Sequence, residues 1–395
     1  MPINPDKIDY SKGLPSRLFS FEIIEDPRTG GNTRHHFGEV IFMVVSAMLC
    51  GMNSFSQIEE FCKYQTKWLS KWITMPNGIP RAQTFSNIFQ LIDNKKFNQC
   101  ISDHLKTLLP EIQKQIIAID GKKLRGSGSK IEGEEIEASH AVSAWAADSG
   151  VTMAQEFVGD KSNEITAIPK LLGMLSIRGH IVTIDAMGTQ TAIVDDIIER
   201  EGDYILAVKG NQKTLHDEII YQFDFASKQL DLNKLGDHWS VDIEHDKSHG
   251  KEVIRKVVAT NYLGWMSIET RERWSNLSSI VMVETETLKP GDEHPTRHIR
   301  YYISSLKADA KDFQKHIRTH WSIENQCHWI LDTAFREDHN QSYKENVARN
   351  LGAVRRIVLN MLKMDDTHKG SIPKKRFSAL MDIDFRELLL SLTSP

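Results

Sequence analysis

The sequence predicts an α/β chain that begins with a helical domain and carries a β-rich insertion ahead of a late helix. Three observations predict it. Residues 1–105 place apolar side chains at helical spacing. From about residue 114, short apolar runs alternate with amphipathic segments, the pattern of a sheet with helices packed on it. Between residues 211 and 310 the pattern changes to successive strands.

In the first part, residues 37–52, 54–72 and 81–93 read as helices. Gly51-Met52-Asn53-Ser54 and Met75-Pro76-Asn77-Gly78-Ile79-Pro80 separate them, and Ser54 and Ser56 can cap. Residues 40–52 are the most apolar stretch, too short to span a bilayer, and read as a buried core helix. The core then offers a buried strand at 115–120 and a hairpin of strands 139–147 and 151–158 around Asp148-Ser149-Gly150. Helix 164–175, strand 180–185, helix 191–200 and strand 203–208 follow. The insertion supplies strands at 238–245, 253–262, 278–287 and 298–304, expected as a second, mostly antiparallel sheet. A long helix at 311–335 and another at 345–363 complete the core. The tail contains Lys374-Lys375-Arg376 and a short apolar helix near 385–392. The expected domains are therefore 1–105, a core in two parts (106–210 and 311–365), the insertion 211–310 and a tail 366–395.

Composition narrows the function. With 395 residues and 40% hydrophobic content the chain can bury a sizeable core. A net charge of −4 is not that of a protein that coats nucleic acid, so any such surface is a local patch. Cys50, Cys62, Cys100 and Cys327 form no close pair and read as reduced thiols. The polar start, residues 1–13, has no secretory apolar region. A cytoplasmic protein without a membrane span is expected.

Three carboxylates carry the chemistry. Asp120 ends the run Ile116-Ile117-Ala118-Ile119, and Asp185 ends Ile181-Val182-Thr183-Ile184. Both are expected at the carboxyl ends of buried strands, where sites in α/β sheets gather. On a helix, Phe313, Ile317, Glu324, His328, Leu331 and Phe335 share one face, so Glu324 interrupts an apolar stripe. A carboxylate there needs a partner. A divalent ion shared with Asp120 and Asp185 is one; an arginine is the other. Oxygen-only ligands favour Mg²⁺ or Mn²⁺, and two such ions suit in-line displacement at a phosphodiester.

At these residues the chain resembles the DDE transposases of bacterial insertion sequences, in particular the ISAs group with its H-repeat-associated proteins. The matching segments are Ile117-Ala118-Ile119-Asp120-Gly121-Lys122-Lys123-Leu124-Arg125-Gly126-Ser127 and Lys161-Ser162-Asn163-Glu164-Ile165-Thr166-Ala167-Ile168-Pro169. They continue with Val182-Thr183-Ile184-Asp185-Ala186-Met187-Gly188-Thr189-Gln190 and Leu206-Ala207-Val208-Lys209-Gly210-Asn211-Gln212. The last is His320-Trp321-Ser322-Ile323-Glu324-Asn325, extending to Glu337-Asp338. The resemblance covers nearly the whole chain. It implies a ribonuclease-H-like core, the triad Asp120, Asp185 and Glu324 as catalytic metal ligands, and a β-rich insertion before the glutamate helix. One departure stands out. Related groups carry a tyrosine–arginine–glutamate–lysine signature, whereas here His320 precedes Glu324 by four and Leu331 follows it by seven.

Several side chains are phosphate-holding candidates beside this site: Lys122, Lys123 and Arg125 after the first aspartate; Lys209, Asn211 and Lys213 after a strand end; and Lys315, Arg318 and His320 before the glutamate. A solvated loop is the alternative for the first two groups. His316 and His320 have a metal-compatible spacing but no accompanying HExxH. Glu337 and Asp338 are spare carboxylates, better read as caps or ion-pair partners. Trp321 and Trp329 read as core. Arg28, Arg34, His35 and His36 form a basic entry to the helical domain, a DNA-end surface or a solvated helix start. The partner expected is double-stranded DNA, both element ends and target, with a homodimer when two ends are synapsed. A DNA-binding protein that no longer transposes and a standalone metal-dependent nuclease are the competing readings.

Overall fold

The computed structural model describes residues 26–28, 33–108, 115–131, 134–158, 163–229, 237–248, 250–343 and 346–391. The polar start, Lys161 and Ser162 of the second motif and the onset of the helix expected from 345 lie outside them. Five helices come first: α1 (Phe37–Leu49), α2 (Phe55–Tyr64), α3 (Thr66–Leu69), α4 (Ala82–Leu91) and α5 (Asn94–Leu108). Strands β1 (Ile116–Lys123), β2 (Ser129–Ile131), β3 (Glu134–Ile136), β4 (His140–Ala146) and β5 (Val151–Phe157) follow. Then come α6 (Glu164–Gly173), β6 (Ile181–Ile184), α7 (Thr191–Glu199), β7 (Asp203–Val208) and α8 (Lys213–Gln229). The insertion adds β8 (Trp239–Ser248), β9 (Lys251–Thr260), α9 (Ile268–Arg273), β10 (Ser279–Leu288) and β11 (Thr296–Ser304). Helices α10 (Ala310–His320), α11 (Trp329–Thr333), α12 (Val347–Met364), α13 (Ile372–Met381) and α14 (Ile383–Ser391) close the chain. Among the described residues no helix is long and apolar enough to cross a membrane.

The chain divides into two compact units, each assembled from separate stretches. One unit combines residues 1–112, 121–161 and 324–395. Its centre is α12, whose residues are buried almost all round, and α1, α4, α5, α13 and β5 pack against it. Helix α1 is buried at every position, as its composition predicts. Several polar groups inside this unit are paired, since leaving one unpaired would cost about 1–3 kcal/mol. Glu39 accepts from the Thr74 amide (2.9 Å) and hydroxyl (2.8 Å). The Asn360 side chain accepts from Thr152 N and donates to Thr152 O, each at 2.9 Å, standing in for a neighbouring strand along β5.

The other unit, residues 113–120 and 162–323, is a mixed sheet with strand order β1-β6-β7-β11-β10-β9-β8. Strands β1, β6 and β7 are parallel, as expected of buried apolar runs separated by helices. Strand β11 then pairs antiparallel with β7, matching Tyr301 to Val208 and Ser304 to Ile205. The four insertion strands therefore extend the same sheet rather than forming a second one. The edge of β7 explains this: its amides and carbonyls need partners, and the buried half of β11 supplies them.

Two further features extend the sequence reading and one corrects it. The stretch after residue 211 opens with helix α8, ahead of the expected strands, and buries Leu215, Ile219, Phe223 and Ala226 at helical spacing. The tail is helical from Ile372, and its basic run is partly internal. Lys375 donates to Leu362 O (2.9 Å) and pairs with Asp365 (2.9 Å). Arg376 donates to Met48 O (2.8 Å), to Asn53 Oδ1 (3.0 Å) and to Ala334 O, and lies over the Phe335 ring. Trp329, expected in the core, is 62% exposed.

Arg376 thus satisfies carbonyls at the end of α1 and beyond α11 at once. Arg376→Met should lower stability by about 2–4 kcal/mol by stranding those acceptors. The midpoint of thermal unfolding reads it, and an unchanged midpoint would show the carbonyls find water instead.

Candidate active site

The sheet unit brings Asp120 and Asp185 together. Strands β1 and β6 run parallel with Ile119 opposite Ile184, so the two aspartates follow at the same level on adjacent strands and face the same way. The residues before each are buried, and both aspartates are partly exposed. Asp185 also caps the turn that follows it: Oδ1 accepts from Met187 N (3.1 Å) and Gly188 N (3.4 Å). Both bonds fall on one oxygen. Gly188 is needed for that turn. A Cβ there would lie 2.8 Å from Ile168 Cδ1 and closer still to Ile184 Cγ2.

The loop after β7 is tied to the same place. Asn211 Nδ2 donates to Ala186 O (2.6 Å) and Gln212 Nε2 to Thr189 O (2.9 Å). Thr189 Oγ1 reaches back to Ala207 O (2.6 Å). Asn211 is therefore a structural clasp, while Lys209 and Lys213, on either side of it, are exposed.

Helix α10 packs against β6 in this unit. His320 Nδ1 and Thr183 Oγ1 are 2.8 Å apart. Burial pushes the His320 pKa down to about 4, so the ring is neutral near pH 7 and supplies no positive charge to a phosphate there. Trp321, half-buried, stands edge-on to His320 and lies under Arg300, whose guanidinium carbon is 4.8 Å from the ring centre. Lys315 is exposed, and Arg318 pairs with Glu244 at 2.6 Å on a half-exposed surface.

Glu324 begins the last segment of the helical unit. The expected single helix breaks at Trp321, and residues Glu324–His328 form a π-helical turn before α11. That turn bonds each amide five residues back and shifts the phase of the side chains. Ile323 and Cys327 take the buried positions and Glu324 is exposed. The premise that Glu324 lies within a buried stripe is overturned, and its accessibility comes from the shifted helix register.

The same unit holds an ion cluster the sequence did not reveal. Lys122, on the far end of β1, is 7% exposed. Its Nζ lies 2.7 Å from Asp332 Oδ1, 3.0 Å from Asp338 Oδ1 and 3.4 Å from Glu337 Oε2. Glu337 is buried and also pairs with Arg356 (3.1 Å) and, more distantly, with Arg355 (3.9 Å). Burial opposes the charge of Lys122, but Glu337, Asp332 and Asp338 outweigh it and hold its pKa above the ordinary lysine value. Burial likewise opposes the charge of Glu337, and Arg356, Arg355 and Lys122 outweigh it, keeping the carboxylate ionised. Lys122 is thus not a loop residue free to hold a phosphate. Glu337 and Asp338 do pair, as expected. Arg336 takes a left-handed backbone, φ 51°, at the turn that carries them. The turn after β1 sits on that segment: a Cβ on Gly126 would meet Asp338 O at 2.7 Å. Lys123 and Arg125 remain exposed.

Among the described residues, no three histidine, cysteine, aspartate or glutamate side chains lie close enough together to hold a metal ion. The carboxylate arrangement shown is the pair Asp120 and Asp185, of the oxygen-donor type that suits a hard divalent ion.

Known proteins resemble this chain over nearly its whole length. Residues 111–361 match the family model described as a transposase DDE domain, and residues 18–105 match the DDE-associated domain. The putative transposase YncI of Escherichia coli O157:H7 is 33% identical over 382 residues, 96% of both chains. The H repeat-associated putative transposase YhhI of Escherichia coli K12 is 32% identical over 380 residues, 96% of this chain and 98% of that one. Putative protein YbfL of the same strain matches to the same extent.

Gly188→Ala should displace the Asp185 turn and cost about 1–3 kcal/mol through overpacking against Ile184 and Ile168. Urea unfolding checks the cost. A second prediction concerns acid. The buried His328 has its pKa pushed down to about 3 by burial first and then by Arg356 and Lys122. Its folded pKa and that of His320 lie below the ordinary 6.5, so folding favours the neutral rings. That contribution is complete above about pH 6.5 and is lost as pH falls toward 4 and then 3. The denaturation midpoint should decline over this window, and His320→Asn should flatten its upper part.

Proposed function

We propose, from the premise that this chain belongs to the DDE transposase family of the H-repeat-associated group, that it cleaves and joins DNA at the ends of an insertion sequence. The observation that carries the proposal is the placement of Asp120 beside Asp185 at the carboxyl ends of two parallel strands. Strand, helix, strand, helix, strand from β1 through β7, with the β4–β5 hairpin between, supports a ribonuclease-H-like core. Glu324, exposed on its π-helical turn, is the third carboxylate of the triad.

The donor set fits Mg²⁺ or Mn²⁺: carboxylate oxygens only, accessible, with Asp185 using one oxygen for its turn. Such ions, when bound, lower the barrier to in-line attack at phosphorus. The protein's own part is to hold the carboxylates and the DNA. Lys209 and Lys213 on one loop, and Lys123 and Arg125 on the other, present exposed cations for backbone phosphates. Lys315 extends that set along α10. The enzyme binds the ends of its element and hydrolyses a phosphodiester to expose a 3′-hydroxyl. It then directs that hydroxyl at target DNA. Two ends require two active sites, hence a homodimer on DNA. A soluble cytoplasmic protein is part of the same reading.

The test uses the purified chain and a DNA fragment carrying the element's own flanks. Cuts at the element boundary should appear with Mg²⁺, vanish with chelator and vanish in Asp185→Asn, a loss of at least 10³-fold in rate, about 4 kcal/mol. Full cleavage by Asp185→Asn would overturn the mechanism. Joining of the cut strand to target separates a transposase from a nuclease, and binding without cutting would identify a DNA-binding protein.

A further inference from the structure

We infer that Lys122 is a positioning residue for the carboxylate site, acting through Asp332, and not a contact to DNA. The inference rests on the transposase reading above for what that site does. Strand alternation puts Lys122 on the same face of β1 as Asp120, two residues earlier. Asp332, on α11, lies eight residues after Glu324, about two helical turns along the same helical run. The 2.7 Å Lys122–Asp332 ion pair therefore pins the end of β1, two residues past Asp120.

The surroundings are built for a fixed lysine. Lys122, Arg355 and Arg356 face Asp332, Glu337 and Asp338, and the exposed Arg125 adds a longer ion pair to Asp338 (3.7 Å). Glu337 bridges the lysine to Arg356 on α12, so the cluster is anchored in the most buried helix of its unit. Asp338 accepts from the Arg125 amide as well (3.3 Å), which fixes the chain just past Lys122. A phosphate contact would need the ammonium free and accessible. Here three carboxylates surround it, and a fourth anion would be repelled. Asp332 is partly exposed, 34% by side chain, at the outer side of the cluster.

The test compares wild type with Lys122→Met, Lys122→Arg and Asp332→Asn. Mn²⁺ binding to the free protein is measured by titration calorimetry, and DNA affinity is measured in chelator across salt concentrations. A positioning role predicts that Lys122→Met and Asp332→Asn each weaken Mn²⁺ binding by about tenfold or more, with Lys122→Arg recovering part of it. DNA affinity and its salt slope should stay at wild-type values. A salt slope lowered by about one in the Lys122 variants, with Mn²⁺ binding intact, would mark a phosphate contact and overturn the inference. Unchanged Mn²⁺ binding in Asp332→Asn would overturn it too, as would a wild type that binds no Mn²⁺. Where Lys122→Met does not fold, Asp332→Asn carries the test, since it removes a partly exposed partner. Failure of the transposase reading shows separately, as wild-type protein that binds Mn²⁺ but cuts no DNA.

Discussion

Strand β1 meets two opposite demands within eight residues. Ile116 to Ile119 are buried and hydrogen-bonded in parallel to β6, so that half needs apolar side chains. Past Asp120 the same strand presents Lys122 to a buried site, where an unpaired ammonium would cost several kcal/mol. The ion cluster with Asp332, Glu337 and Asp338 resolves the conflict, and it does so only because Arg355 and Arg356 balance the extra carboxylates. Removing one member of such a cluster leaves an uncompensated charge, a loss of about 3–5 kcal/mol where the site is dry. The parallel pairing sets Asp120 beside Asp185.

Around that strand, loops are clasped to one another by side chains whose sequence neighbours suggested a different use. Asn211 holds Ala186, Gln212 holds Thr189, and Thr189 holds Ala207. These bonds keep the ends of β6 and β7 in a fixed relation while Lys209 and Lys213 stay outside it.

Legibility in the sequence followed the strength of local signals. The strand 203–208 and the helix 191–200 read almost as they stand, because apolar periodicity and flanking polar residues agree. The pairing of Asp120 with Asp185 followed from apolar runs of similar length ending in aspartate. Helix α8 was equally visible, with Leu215, Ile219, Phe223 and Ala226 at helical spacing, yet the following strands drew the whole stretch into a β reading. Arg355 and Arg356 also left a trace: adjacent cations inside a helix apolar all round require carboxylate partners. The same logic applied to Glu324 gave the wrong environment, because helical phase was counted across Trp321, where the helix breaks.

By itself the sequence determined the family, the α/β composition, and the two aspartates at strand ends, since burial of apolar runs and their termination are local facts. Tertiary structure alone decided which charges are free. Lys122 and Lys123 are neighbours in sequence, but one is enclosed by carboxylates and the other is in water. His320 is neutral because of what covers it, and Glu324 is exposed because a π-helical turn shifts its phase. The sequence carries the ionisable groups, but their charge and access depend on residues as much as 216 positions away, as between Lys122 and Asp338.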